Sequence, residues 1–156
     1  MDEIGKRETV LFICNHNAGR SQMAEALLRR MHGDRFEPFS AGTEPRPVNP
    51  YVVRVMAEQG IDISAARSKG IAEFKGREFD YVVTLCDRAK EGCPILPGGK
   101  NFLHQHFANP SSFEGAEEEI LKGVRGVRDQ LREWLEKTFA VRTAPKKLPG
   151  AFEMDG

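Results

Sequence analysis

The apolar run Thr9-Val10-Leu11-Phe12-Ile13 passes directly into Cys14-Asn15-His16-Asn17-Ala18-Gly19-Arg20-Ser21, and an amphipathic stretch follows at once. A short, nearly continuous run rich in branched side chains is the pattern of a parallel strand buried on both faces. From Ser21 onward Met23, Leu27 and Met31 share one helical stripe with Ala24 and Leu28 beside it, while Glu25, Arg29 and Arg30 face away. Strand, tight loop and helix in that order leave few choices. The helix must pack back on the sheet, and the chain is expected to be an α/β protein built around this unit.

The loop itself carries chemistry. The backbone N–H groups of Asn15, His16, Asn17, Ala18, Gly19 and Arg20 can converge on one point, and the helix that begins near Arg20 adds its positive end there. Such a loop is an oxyanion cradle. At its mouth Cys14 would feel both the dipole and the Arg20 guanidinium, which favour the thiolate and make the cysteine a nucleophile. Arg20 can bind two oxygens of a tetrahedral oxyanion as a fork, which lysine does less well. Ser21 can donate a hydrogen bond to the sulfur, and Asn17 tolerates a left-handed backbone. The side chain of His16 is expected to point outward, leaving it a backbone role in anion binding. The same residues also admit a plainer reading, in which Cys14 is a packing residue at a strand end.

Further along, Phe36 to Ser40 reads as a second strand running into Ala41-Gly42. Asn49-Pro50 is a helix start, with Asn as cap and Pro at the first helical position, and Gly60 is a natural stop, giving a helix from Pro50 to Gln59. A turn and a short helix near Lys69 to Phe74 follow. Asp80-Tyr81-Val82-Val83-Thr84-Leu85 is another buried strand, and it delivers Cys86 to its C-terminal end, where open α/β sheets bind ligands. Lys100 to His104 forms a last short strand. Between Glu117 and Phe139 the positions Ile120, Val124, Val127, Leu131, Trp134 and Leu135 trace one face of a long helix, which Gly123 and Gly126 are expected to loosen. Residues 141–156 lack periodicity and are expected to be a disordered tail to a single catalytic domain spanning 1–140.

With 156 residues the chain has room for one full hydrophobic core. Its 23 basic and 23 acidic residues cancel and are mixed along the sequence, so no field attracts nucleic acid or an anionic membrane. Apolar runs are too short to span a bilayer, and Met1 to Arg7 is not a signal peptide, which together predict a cytoplasmic protein. In that reducing setting, three cysteines point to catalytic or redox thiols rather than a disulfide framework.

Cys86 and Cys93 bracket the polar segment Asp87-Arg88-Ala89-Lys90-Glu91-Gly92, expected to be exposed and mobile. Seven residues apart on a regular helix they would be too distant for a disulfide, so pairing requires partial unwinding. Two unrelated thiols, or a zinc site completed by His104 or His106, are the other readings of this pair.

Cys-x5-Arg-Ser near the start of the chain, followed by Gln22-Met23-Ala24-Glu25, resembles the low-molecular-weight tyrosine phosphatase superfamily. Thr84-Leu85-Cys86 and Cys93-Pro94-Ile95-Leu96-Pro97 narrow the resemblance to its thioredoxin-coupled arsenate reductases, since the phosphatases lack the cysteine pair. The resemblance covers about Val10 to Phe139. It implies a four-stranded parallel sheet in the order 2-1-3-4, flanked by helices. It also implies reduction of arsenate to arsenite by a relay through Cys14, Cys86 and Cys93, with Arg20 and Ser21 as further catalytic residues. Thioredoxin is the implied reductant, arsenate the small-molecule substrate, and no cofactor or metal is called for. A phosphotyrosine phosphatase, or a phosphate-binding module without turnover, are the alternatives.

Two positions depart from that pattern. Where the family carries Asp-Pro with the Asp as general acid, this chain has Asn109-Pro110, and His104 or His106 stands near enough in sequence to be considered as a substitute acid. Some relatives bind a monovalent cation behind the loop through residues resembling Asn17, Glu25 and Ser40 with an acidic partner. Lys69 occupies that partner's position, which predicts independence of potassium.

Overall fold

The computed structural model describes residues 6–87 and 99–140. Four strands, β1 (Glu8–Cys14), β2 (Phe36–Gly42), β3 (Phe79–Thr84) and β4 (Gly99–His104), form one parallel sheet in the order β2-β1-β3-β4. Among the described residues three helices, α1 (Arg20–His32), α2 (Pro50–Ala57) and α3 (Glu117–Ala140), accompany it, with single 3-10 turns at Ile71–Phe74 and Pro110–Ser112. The expected topology is the observed one. The short helix foreseen near Lys69 is only the 3-10 turn Ile71–Phe74.

Alternation along β1 sorts the core into two layers. Val10 and Phe12 face the larger one, with Met23, Leu27 and Leu28 of α1, Val52 and Met56 of α2, and Leu121, Val124, Leu131 and Leu135 of α3. Phe139, the last large apolar residue of α3, meets the rings of Phe12, Phe36 and Tyr81 edge-on at 6.4, 5.1 and 5.6 Å. Edge-to-face pairs of this kind add to the burial that fastens α3 to the sheet. Leu11 and Ile13 face the other layer with Ala41, Phe79 and Val82.

The sequence places the stop of α2 at Gly60, and the hydrogen bonds show how it works. Ile61 N–H donates to the Met56 carbonyl and Gly60 N–H to that of Ala57, with Gly60 at φ 76°. This is a Schellman closure, so the helix as ranged ends two residues before Gln59 only because its last turn tightens around the glycine. A second glycine matters for close approach. A side chain at Gly42, the last residue of β2, would stand 2.7 Å from the Asn15 oxygen and 2.7 Å from the Asn17 nitrogen, so the loop after β1 can sit on β2 only because this position has none.

Candidate active site

Parallel strands bring all four C-terminal ends to one edge of the sheet, and the loop 15–19 lies there between β1 and α1. Its conformation follows from where its carbonyls go. The oxygen of Asn15 accepts from Glu44 N–H, that of His16 from Arg46 N–H, that of Ala18 from Asn49 N–H and that of Gly19 from Met23 N–H, all within 3.0 Å. Ser68 Oγ donates to the Asn17 oxygen at 2.9 Å. In a trans peptide the N–H points opposite to the C=O. With five successive carbonyls drawn outward, the N–H groups of His16 through Arg20 turn toward the inside of the loop. Asn17 takes the left-handed backbone, at φ 50°, that this winding needs.

Cys14 sits at the end of β1 as a free thiol, with 2% of its surface exposed. Ser21 Oγ is 3.0 Å from its sulfur. Arg20, equally buried, is fixed by a hydrogen bond from Nη1 to the Phe107 carbonyl at 3.0 Å. A small cavity over the sulfur is lined by Cys14, His16, Ala18, Gly19, Arg20 and the segment Asn109-Pro110-Ser111. Beside it a wider cleft of about 450 Å³ shares several of these residues and adds Arg46, Tyr51 and Phe113. His16 is more constrained than a residue pointing freely outward, because its Nδ1 lies 2.9 Å from the Glu44 carbonyl.

Cys86 is fully buried, is disulfide-bonded, and packs against Cys14 in a cluster of their own. It follows Leu85, whose N–H donates to the Ile13 carbonyl at 2.9 Å, so the continuation of β3 runs beside the end of β1. Cys93, and the exposed segment foreseen between the two cysteines from Arg88 onward, lie outside the described residues. Among the described residues no cluster of His, Cys, Asp and Glu is arranged to hold a metal ion, and no helix is long and apolar enough to cross a membrane.

Asn109 stands on the rim of the small cavity, where its Oδ1 accepts from Ser111 N–H at 2.9 Å. The histidines considered as its substitutes are engaged elsewhere. His104 Nδ1 is 2.6 Å from Thr84 Oγ1 at the end of β3, and His106 Nε2 is 4.0 Å from the Asp87 carboxylate. Neither lines the cavity over Cys14, so the structure does not place either as a substitute acid. Behind the loop Lys69 Nζ lies 3.9 Å from Glu25 Oε1 and donates to the Arg67 carbonyl at 3.0 Å. Burial pushes its pKa below the usual lysine value, while the Glu25 charge acts the other way. Gln22 was legible only as part of the motif, yet it is buried and bonds Asn17 twice.

Residues 9–140 match the family model of the low molecular weight phosphotyrosine protein phosphatases. An arsenate reductase of Halalkalibacterium halodurans is 40% identical over 134 residues, spanning 86% of this chain and 96% of the relative. Among solved structures, an arsenate reductase in its phosphate-binding state superposes with a TM-score of 0.72 at 31% identity, covering 86% of this chain and 98% of its own. A thioredoxin-dependent arsenate reductase of Corynebacterium glutamicum gives a TM-score of 0.57 at 34% identity, over 84% of this chain and 63% of that one.

Proposed function

The chain belongs to the low molecular weight phosphotyrosine protein phosphatase family, and within that family we propose that it is an arsenate reductase working through a thiol and disulfide relay. The observation that carries this reading is the pairing of two buried sulfurs, Cys14 and Cys86, under one oxyanion cradle. A phosphatase uses the first sulfur, the arginine and a general acid, and has no step for a second sulfur. A second sulfur in contact with the first supplies what hydrolysis does not use, a nucleophile for the sulfur of a covalent adduct.

In the proposed sequence arsenate binds in the cradle, its oxygens held by the inward N–H groups and the Arg20 fork. The Cys14 thiolate attacks arsenic and one oxygen leaves as water after protonation, giving a Cys14 thioester of arsenic(V). Cys86, reduced at this stage, attacks the Cys14 sulfur. The electron pair of the breaking sulfur–arsenic bond passes to arsenic, which departs as arsenite, and a Cys14–Cys86 disulfide remains. Cys93 then attacks Cys86, expelling Cys14 as thiolate. The resulting disulfide is reduced by thioredoxin, which supplies the two electrons consumed. The free Cys14 and disulfide-bonded Cys86 of the structure are the sulfur states that this sequence leaves after its last internal step.

Asn109 cannot donate a proton as a carboxylic acid would. Loss of hydroxide from arsenate can draw the proton from another arsenate hydroxyl, whereas an aryl ester has no such internal source. Reduction is therefore expected to tolerate Asn109 better than ester hydrolysis does. The test is arsenate-dependent NADPH oxidation in the presence of thioredoxin and thioredoxin reductase. Turnover that each of Cys14→Ser, Cys86→Ser and Cys93→Ser abolishes supports the relay. Aryl phosphate hydrolysis through Cys14 alone, without arsenate turnover, would replace it with a phosphatase.

A further inference from the structure

We propose that Gln22 is a positioning residue that sets the direction of the hydrogen-bond chain ending on the Cys14 sulfur. The inference rests on the reading of Cys14 as the nucleophile of this site.

The chain has two links. Asn17 Nδ2 donates to Ser21 Oγ at 2.7 Å, and Ser21 Oγ is 3.0 Å from Cys14 Sγ. A hydroxyl has a single proton. Because Asn17 already donates to the oxygen, that proton is left for the sulfur, and a thiolate is a pure acceptor. The arrangement therefore favours the charged sulfur only while the Asn17 amide presents its nitrogen, and not its oxygen, to Ser21. Rotating the amide by half a turn would offer an oxygen instead, and Ser21 would spend its proton there.

What fixes the amide is the pair of donors on its other side. Gln22 Nε2 lies 2.9 Å from Asn17 Oδ1, and the Lys69 backbone N–H lies 2.8 Å from the same oxygen. A reversed amide would set its NH₂ against both. Gln22 in turn has its own orientation enforced, since its Nε2 also lies 3.1 Å from the Asn17 carbonyl and 3.0 Å from the Arg67 carbonyl. Three oxygens around one nitrogen leave the Gln22 amide no reversed alternative. The residue is 3% exposed, so water does not compete for these bonds. Gln22 touches neither the cavity nor the sulfur. It acts through Asn17 and Ser21, and it also ties the loop to the segment 67–69.

The test uses the full chain carrying Cys86→Ser and Cys93→Ser, so that Cys14 is the one thiol, and reads its alkylation by iodoacetamide at pH 7 relative to pH 10. Gln22→Met, which keeps the volume and removes the donors, is expected to lower that ratio about three- to tenfold, the scale of weakening one hydrogen bond to a charged group. In a Ser21→Ala background the same substitution should cause no further drop. An unchanged ratio in Gln22→Met, or an equal drop with and without Ser21, overturns the proposal. If Gln22→Met does not fold, exchange of the Asn17 side-chain amide protons in the unsubstituted chain decides. Slow exchange supports the clamp, and exchange as fast as that of a surface asparagine overturns it. Arsenate enters none of these measurements, so failure of the proposed reduction and failure of the clamp are distinguishable.

Discussion

Cys86 packs against Cys14 at the C-terminal edge of the sheet, both sealed from solvent, one disulfide-bonded and the other free. The contact is a product of topology. β1 and β3 are parallel neighbours, so side chains at the ends of both arrive at the same edge. Nothing but adjacency is needed for the second sulfur to reach an adduct on the first.

Asn109→Asp is predicted to separate the two chemistries of the cradle. The Asx bond to Ser111 N–H survives the change, since a carboxylate oxygen accepts as an amide oxygen does. Aryl phosphate hydrolysis should rise on the order of 10²-fold, the lower range of general acid catalysis, while arsenate turnover changes by less than about threefold. Parallel steady-state assays check it. A large gain in arsenate turnover with little gain in hydrolysis would contradict the argument.

Lys69 Nζ stands 3.9 Å from Glu25 Oε1, and Ser40 Oγ donates to the same carboxylate at 2.5 Å, so the Glu25 charge faces an ammonium of the chain itself. The melting temperature should be the same in potassium and sodium at equal ionic strength. Lys69→Asp should make it rise with potassium. A marked potassium effect on the unsubstituted chain would contradict this.

The two glycines of α3 should respond in opposite directions. A side chain at Gly123 would stand 2.6 Å from the Phe113 ring, so this glycine is the seat of Phe113 and not a loose point in the helix. Gly123→Ala is predicted to destabilise by about 1–3 kcal/mol, as overpacking does. At Gly126 nothing lies within 4 Å, and Gly126→Ala should stabilise by roughly 0.5–1 kcal/mol through helix propensity alone. Chemical denaturation of both variants measures it.

Acid should loosen the clasp between α2 and α3. Bonding to Arg125 first, and to Arg128 beside it, holds Glu58 at a pKa of about 2, below its ordinary value of 4.5. A carboxylate depressed in the folded state stabilises above its unfolded pKa and loses that contribution as pH falls through the folded one. Glu58→Gln should therefore be less stable than the unsubstituted chain at pH 7, and the gap should close between about pH 4.5 and 2. The gap is small, because Glu58 is over a third exposed and solvent screens the pair. Denaturation midpoints across that range test the sign.

The strands themselves, the loop between β1 and α1 and the cap at Asn49 were legible because each rests on local pattern, whereas the strand order came with the family resemblance. Buried runs, a loop of fixed spacing and an Asn-Pro start need no knowledge of distant residues. What was not legible depends on contacts remote in sequence. Gly123 reads as a weak helix residue until Phe113, ten positions away, is seen against it. Gln22 reads as one letter of a motif, and its work at Asn17 and Arg67 emerges only when residues 67–69 fold against the loop. His104 and His106 were near Asn109 in sequence, yet strand pairing carries them to Thr84 and Asp87, away from the cavity.

The most direct test of the relay is a single turnover. Fully reduced protein is mixed with one equivalent of arsenate, without thioredoxin, and arsenite and disulfides are quantified by mass spectrometry. The account predicts one arsenite per chain, a Cys86–Cys93 disulfide and a free Cys14, with Cys93→Ser trapping Cys14–Cys86 instead. Absence of arsenite, with all three thiols still reduced, would contradict it.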